Sequence, residues 1–128
     1  YNRLKYLIVD LAPALSRSQR ERAAPHKDRL RVLTGDACAL PLPDASVDVV
    51  ISNEMIADLP TLPVRRDDLA TGQGAGEALV RRYDLPVADA HGVFHVNAGA
   101  IQFLEQIARV LKPGGTAYLS EFGSATTY

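Results

Sequence analysis

Four short apolar runs, separated by connections of crossover length, constrain the fold of this 128-residue chain more than any other feature of its sequence. They lie at residues 4–9, 30–34, 47–52 and 116–122. The first run shows little alternation between apolar and polar residues, which is typical of a strand covered on both faces in a parallel sheet. Parallel strands need long crossover connections, whereas antiparallel neighbours can be joined by a tight turn. The sequence therefore predicts an α/β fold with a mainly parallel sheet.

Two helices are predicted in the connections between these strands. Residues 14–24 are rich in helix formers, follow Pro13 and stop at Pro25. Proline is tolerated in the first turn of a helix but not in its interior. Asn97 is a good N-cap for the second helix, whose apolar residues recur at helical spacing: Ile101, Leu104, Ala108 and Leu111. A Pro-Gly-Gly sequence at 113–115 is predicted to end this helix before the last strand.

The segment from Asp58 to His95 has the least regular pattern. It contains prolines, glycines and several charge pairs, with a short helix predicted over 77–83. A connection of this length is usually a functional lid or an insertion. We therefore predict one domain over residues 1–128, with an irregular, lid-like insertion at about 58–96.

Composition and charge argue against several classes of function. The formal net charge is −1 at pH 7, with eight Lys or Arg against three Asp or Glu up to Thr34 and six against twelve after it. No aromatic residue is interleaved with the basic cluster at 17–31, so a solvated helix face is favoured over a nucleic-acid interface. No apolar stretch is long enough to span a bilayer, so no membrane partner is predicted. Cys38 is the only cysteine, which excludes an internal disulfide and fits a reducing compartment.

Polar residues stand at the end of each predicted strand, at the edge where parallel α/β sheets bind ligands. They are Asp10, Asp36, Ser52, Asn53, Glu54 and Glu121. The carboxylate of Asp10 can accept two hydrogen bonds from a ribose diol. Asp36 can accept one from an adenine amine, and the Ala37 N–H can donate to the ring, so the set fits an adenosine group. The same spacing equally allows Asp10 and Asp36 to be helix-cap or turn residues.

Two stretches resemble motifs of a known enzyme class. Residues 35–54 (GDACALPLPDASVDVVISNE) resemble the third and fourth motifs of class I S-adenosylmethionine-dependent methyltransferases. Residues 109–115 (RVLKPGG) resemble their later helix–turn–strand element. The resemblance implies a Rossmann-like sheet and S-adenosyl-L-methionine as the cofactor. The cofactor contacts that it implies are Asp10, Leu11, Asp36, Ala37, Ser52 and Asn53.

The same resemblance implies a partial domain. In that class, a first strand and a glycine-rich loop precede the strand that corresponds to residues 4–9, and that first strand lies mid-sheet, beside the strand at 47–52. We therefore expect a methyltransferase sheet that lacks its first strand and its glycine-rich loop. Residues 71–76 (TGQGAG) superficially resemble the loop, but no buried strand precedes them, so a flexible hinge is the favoured interpretation.

A narrower resemblance is to the MidA family. Residues 6–19 (YLIVDLAPALSRSQ) resemble its Y-x-I-V-E-x-S-P-x-L-x-x-x-Q stretch. Asn53-Glu54 followed by 58–60 (DLP) resembles its N-E-x-x-D-A-L-P motif, with one extra residue. MidA-type proteins are methyltransferases linked to arginine methylation of a respiratory complex I subunit. The resemblance implies a protein acceptor, and a cytoplasmic location or, in a eukaryote, the mitochondrial matrix.

An arginine acceptor would need carboxylates to hold its guanidinium in a fixed plane. Glu54 is the candidate catalytic residue for this, with Asn53 as an orienting partner and Asp58 as a weaker second acid. The alternative is that Asn53 and Glu54 only cap the segment that follows.

Two other functions stay open. The ending at 120–123 (SEFG) and the turn at 40–46 (LPLPDAS) resemble small-molecule methyltransferases of the quinone-biosynthesis type, which act on oxygen or carbon. A non-catalytic, methyltransferase-like binding or assembly module is the third option.

No metal site is predicted, because His91 and His95 have no third ligand nearby. The sequence leaves the oligomeric state open.

Overall fold

The computed structural model describes residues 4–122, which form six strands and three α-helices. In chain order they are β1 (Tyr6–Asp10), α1 (Pro13–Ala23), β2 (Leu30–Thr34), β3 (Val47–Asn53), β4 (Leu62–Arg65), α2 (Ala75–Arg82), β5 (Val93–Val96), α3 (Ala98–Val110) and β6 (Leu111–Ser120). No helix within this range has the length and apolar character needed to cross a membrane. The predicted α/β class is confirmed.

β1 and β2 form a parallel pair, with Asp10 opposite Thr34 at its carboxyl end. α1 is the crossover between them and is fixed to that end. The hydroxyl of Ser16, which is fully buried, donates to the Asp10 carbonyl oxygen at 3.3 Å. The Arg20 guanidinium donates to the Thr34 hydroxyl at 2.8 Å. The helix and the second strand therefore form where the sequence predicts them, and they set the position of the strand ends.

β3 and β6 form a second parallel pair, with Asn53 opposite Ser120. α3 precedes β6, and Asn97 caps it as predicted, because its side-chain oxygen accepts a hydrogen bond from the Ala100 N–H at 2.7 Å. The helix buries an apolar face, but this face differs from the predicted one, because Leu104 and Ala108 are exposed. Its buried apolar residues include Phe103, Ile107 and Val110.

The junction between α3 and β6 differs from the prediction. β6 begins directly at Leu111, whereas the sequence predicts a strand that starts after the Pro-Gly-Gly at 113–115. Val47 lies opposite Leu111 and Val49 lies opposite Thr116, so the register shifts between them. Residues 112–115 of β6 therefore form a bulge inside the strand. Gly114 has a φ of 80°, a left-handed conformation that glycine adopts without strain. The helix ends at Val110, just before the Pro-Gly-Gly sequence as predicted, and this sequence also shapes the start of β6.

The two parallel pairs are separate ladders, since within residues 4–122 no ladder joins β1 or β2 to β3 or β6. α1 packs against the first pair and α3 against β6, while α2 packs against β4 and β5. Several apolar side chains on the paired strands remain exposed: Leu7, Val49, Ile51 and Tyr118. The expectation that the first strand is covered on both faces is wrong for the described residues, because Tyr6 and Leu7 of β1 are exposed. The expected partial domain stays a prediction.

The segment predicted to be irregular contains an antiparallel pair, β4 with β5, in which Val64 lies opposite Phe94. α2 packs on this pair and begins two residues before the predicted helix. A small apolar core holds the unit together, formed by Val64, Val80 and Val96. Gly76 permits the close approach of α2, because a Cβ there would lie 2.5 Å from a methyl carbon of Val64. The segment therefore contains more regular structure than its sequence predicts, and its short helix is present at Ala75–Arg82.

Candidate functional site

The first cluster of candidate residues lies at the carboxyl end of the β1–β2 pair. The Ala12 N–H donates to Oδ1 of Asp10 at 2.9 Å, and the Gln19 amide donates to Oδ2 at 2.8 Å. Past the end of β2, Oδ1 of Asp36 accepts from the Cys38 N–H at 2.8 Å. Both acids therefore form the local turn and cap contacts that the sequence allowed as an alternative to ligand binding.

These contacts leave acceptor capacity for a ligand. An ionised carboxylate has about four lone-pair sites. Two local donors occupy Asp10, which leaves two sites, the number that a ribose diol requires. Asp36 is exposed and has one local donor, so its second oxygen can accept from an amine. Leu11, directly after Asp10, exposes 69% of its surface and offers an apolar contact beside the acids. The two interpretations of the acids are therefore compatible.

The second cluster lies at the carboxyl end of the β3–β6 pair. The Ser120 hydroxyl donates to the side-chain oxygen of Asn53 at 2.6 Å. The Glu54 N–H donates to the Ser120 carbonyl oxygen at 2.8 Å. Glu54 has a φ of 52°, a left-handed backbone conformation that is uncommon outside glycine. The chain therefore makes a fixed, sharp change of direction where β3 ends.

The carboxylates of Glu54 and Asp58 are exposed, and neither makes a hydrogen bond or an ion pair within residues 4–122. Their backbone is nevertheless fixed. The Asn97 amide donates to the Ile56 carbonyl oxygen at 2.8 Å, and the Glu121 carboxylate accepts from the Ala57 N–H at 2.9 Å. Each of these two carboxylates is therefore available to pair with a cationic group.

Glu121 is a site residue whose role the sequence did not predict. Its two carboxylate oxygens accept from the backbone N–H groups of Ala57 and Phe122, both at 2.9 Å. These bonds, that of Ala57 first, lower the pKa of the Glu121 carboxyl. The sequence shows an acid at the strand end, but its partner Ala57 is 64 residues away along the chain, so no local pattern indicates this contact.

Ser52 carries an unexplained polar atom at the same edge. Its side chain is buried, and its hydroxyl oxygen has no hydrogen-bond partner in the described part of the chain. Buried polar atoms are normally satisfied, so an orphan hydroxyl at a strand end is a fitting contact for a bound ligand. This observation, with the spare acceptors of Asp10 and Asp36, fits the nucleoside part of S-adenosylmethionine.

α3 braces both clusters. Near its first turn, the Gly99 N–H donates to the Pro60 carbonyl oxygen at 2.8 Å, and the Cys38 thiol donates to the Gly99 carbonyl oxygen at 3.6 Å. Burial, followed by the neighbouring Asp36 carboxylate, raises the pKa of the Cys38 thiol, which keeps it protonated. One helix therefore contacts the loop after β2 and the turn after β3.

The histidines predicted not to form a metal site lie in the insertion. His95 is on β5, opposite Pro63, and His91 precedes that strand, so the two are not on a helix. Among the described residues, no three His, Cys, Asp or Glu side chains come together as metal ligands would.

A family model described as a methyltransferase domain matches residues 1–66, just over half of the chain. The chain belongs to this methyltransferase family. The match contains all the predicted cofactor contacts together with Glu54, while Ser120 and Glu121 lie outside it. Members of the family generally use S-adenosylmethionine. The match gives no support for the narrower MidA-type subfamily, and no curated protein matches the chain.

Proposed function

We propose that this methyltransferase transfers a methyl group from S-adenosylmethionine to the side chain of a protein arginine. The observation that carries the proposal is the turn after β3, where the carboxylates of Glu54 and Asp58 are exposed and unpaired within the described chain. Unpaired carboxylates at this place can form charge-assisted, bidentate hydrogen bonds with the guanidinium of an arginine acceptor.

The β1–β2 edge would hold the nucleoside of the cofactor. Asp10 would accept from the ribose hydroxyls, and Asp36 from the adenine amine. The Ala37 N–H would donate to the adenine ring, with Leu11 packed on its face. Ser52 and Asn53 would contact the cofactor from the neighbouring strand. When bound, the cofactor supplies an electrophilic methyl group on a sulfonium sulfur.

The acceptor arginine presents a planar, positively charged group with five N–H donors. Glu54 would accept two of them in a bidentate contact, which fixes the plane of the guanidinium and directs one Nη towards the methyl group. The Nη–C bond forms as the S–C bond breaks, and the nitrogen then loses a proton. A carboxylate oxygen of Glu54 can take this proton and release it to water.

The geometry of the site is held by residues that do not touch the acceptor. Ser120 fixes Asn53 and the Glu54 backbone, and Glu121 fixes Ala57. Such pre-organisation matters because methyl transfer depends mainly on in-line placement of the nucleophile. The β4–α2–β5 unit follows this turn directly, and we propose it as the lid over the acceptor.

The test is a transfer assay with S-adenosylmethionine labelled in its methyl group. We expect label on an arginine-containing peptide and none on the same peptide with lysine in place of arginine. Transfer only to the hydroxyl or carbon of a small phenol or quinol would contradict the arginine acceptor and favour the small-molecule alternative. S-adenosylhomocysteine binding without transfer to either acceptor class would favour a non-catalytic module.

A further inference from the structure

We propose that Gln19 on α1 is a positioning residue, which orients the Asp10 carboxylate towards the ribose of the cofactor. This inference rests on the proposed function. Its basis is the hydrogen bond from the Gln19 side-chain nitrogen to Oδ2 of Asp10, at 2.8 Å. The Ala12 N–H holds the other oxygen at 2.9 Å, so donors on two sides fix the plane of the carboxylate.

α1 holds Asp10 at two points. Ser16 and Gln19 are three residues apart and share one face of the helix. The Ser16 hydroxyl donates to the backbone carbonyl oxygen of Asp10 at 3.3 Å, while Gln19 donates to its side chain. The helix thereby fixes both the strand end and the direction of the acid.

The side-chain oxygen of Gln19 shows that the hydrogen bond to Asp10 determines how the amide is oriented. An ionised carboxylate only accepts hydrogen bonds, so the amide must turn its nitrogen towards Asp10. Its oxygen is then buried and has no hydrogen-bond partner among residues 4–122. Leaving a buried oxygen unsatisfied is unfavourable. The amide keeps this orientation, with its oxygen unsatisfied, because its nitrogen donates to Asp10.

The bond to Gln19 determines which lone pairs of Asp10 remain for a ligand. With both local donors in place, the remaining sites of the two oxygens have fixed directions, as binding of a vicinal diol requires. Without Gln19, one oxygen loses its donor and the carboxylate is free to rotate. The expected consequence is weaker binding of the ribose, although no atom of Gln19 need touch the cofactor.

Charge provides a test that separates positioning from a merely structural role. Gln19→Glu keeps the length of the side chain but places a second carboxylate against Asp10, and two adjacent carboxylates take up a shared proton as the pH falls, because they repel each other when both are ionised. The other charged groups at this end are Arg20, which binds Thr34 and the Val32 carbonyl oxygen, and the exposed Asp36. Neither donates to the Asp10 carboxylate.

The experiment is isothermal titration of S-adenosylhomocysteine into the wild-type protein and its variants at about pH 7.5 and about pH 5, either side of the range in which such a carboxylate pair gains a proton. We expect Gln19→Leu to bind about tenfold more weakly at both pH values, through loss of one charge-assisted hydrogen bond. Gln19→Glu should bind at least about tenfold more weakly at the higher pH and recover to within about threefold of wild type at the lower one. Gln102→Leu, the same change at an exposed position on α3, should bind normally.

The outcomes separate this inference from the proposed function. No binding by the wild-type protein would overturn both. Normal wild-type binding with an unaffected Gln19→Leu variant would overturn the positioning role alone, and so would a Gln19→Glu variant that is equally weak at both pH values. Thermal unfolding of each variant, measured alongside, identifies a loss of binding that comes from loss of the fold.

Discussion

Replacing Glu54 with glutamine is expected to lower kcat/KM for an arginine peptide by about 100-fold, because two charge-assisted hydrogen bonds to the guanidinium are weakened. Glutamine keeps the size of the side chain and fits the same left-handed backbone conformation as well as glutamate does. The change therefore removes the charge and one acceptor and leaves the turn in place. Steady-state assays with the labelled methyl donor measure the effect.

Two comparisons identify the cause of that loss. Affinity for S-adenosylhomocysteine should be unchanged in Glu54→Gln, since Glu54 is assigned to the acceptor. Glu21→Gln makes the same chemical change at an exposed position on α1 and should leave kcat/KM unchanged. Unchanged turnover in Glu54→Gln would remove the guanidinium role proposed for this residue.

Arg109→Ala is expected to lower the free energy of unfolding by about 2–3 kcal/mol, the range for lost hydrogen bonds to a charged group. The guanidinium donates to the carbonyl oxygens of Leu42 at 2.7 Å and Leu40 at 2.8 Å, and also to the side chains of Asp44 and Gln106. It therefore fastens the loop between β2 and β3 to α3. Urea unfolding followed by far-UV circular dichroism measures the change.

Two further variants test this account of Arg109. Arg109→Lys should recover only part of the loss, because a single ammonium cannot match the forked contacts of a guanidinium. Asp44→Ala should cost less than about 1 kcal/mol, since 78% of the Asp44 side chain is exposed and exposed ion pairs contribute little. If Asp44→Ala cost as much as Arg109→Ala, the ion pair and not the carbonyl contacts would hold the loop.

Local sequence signals were sufficient for the elements nearest the proposed cofactor edge. The second strand, Leu30–Thr34, has the predicted bounds, and Asn97 caps α3 through its own side chain. These features depend on residues within a few positions of each other, where proline, asparagine and apolar spacing act directly. The strand-end positions of Asp10 and Asp36 follow from the same signals.

Contacts between residues that are far apart in the sequence could not be predicted from these local signals. β4 and β5 are each four residues long and pair across 27 intervening residues (66–92), so the β4–β5 ladder has no signature in either segment alone. Arg109 belongs to the recognised RVLKPGG stretch, yet its hydrogen bonds to residues 40–44 could not be inferred from that motif. The role of Glu121 was missed for the same reason.

The candidate site shows a different kind of limit. Spacing alone left Asp10 and Asp36 as either turn residues or ligand contacts. The structure shows that both acids make local bonds and that both keep free acceptor sites. Each acid can therefore be a turn residue and a ligand contact at the same time. Spacing could not show this, because it gives the position of a carboxylate but not the number of its donors.

The most direct test of the central claim is isothermal titration of S-adenosylhomocysteine into the wild-type protein and Asp10→Ala. We expect measurable binding by the wild type and affinity about 10- to 100-fold lower in the variant, because both ribose contacts are lost. Asp28→Ala, which removes an exposed carboxylate before β2, serves as the matched control and should bind normally. No wild-type binding, or binding that Asp10→Ala leaves unchanged, would contradict the assignment of the cofactor to this edge.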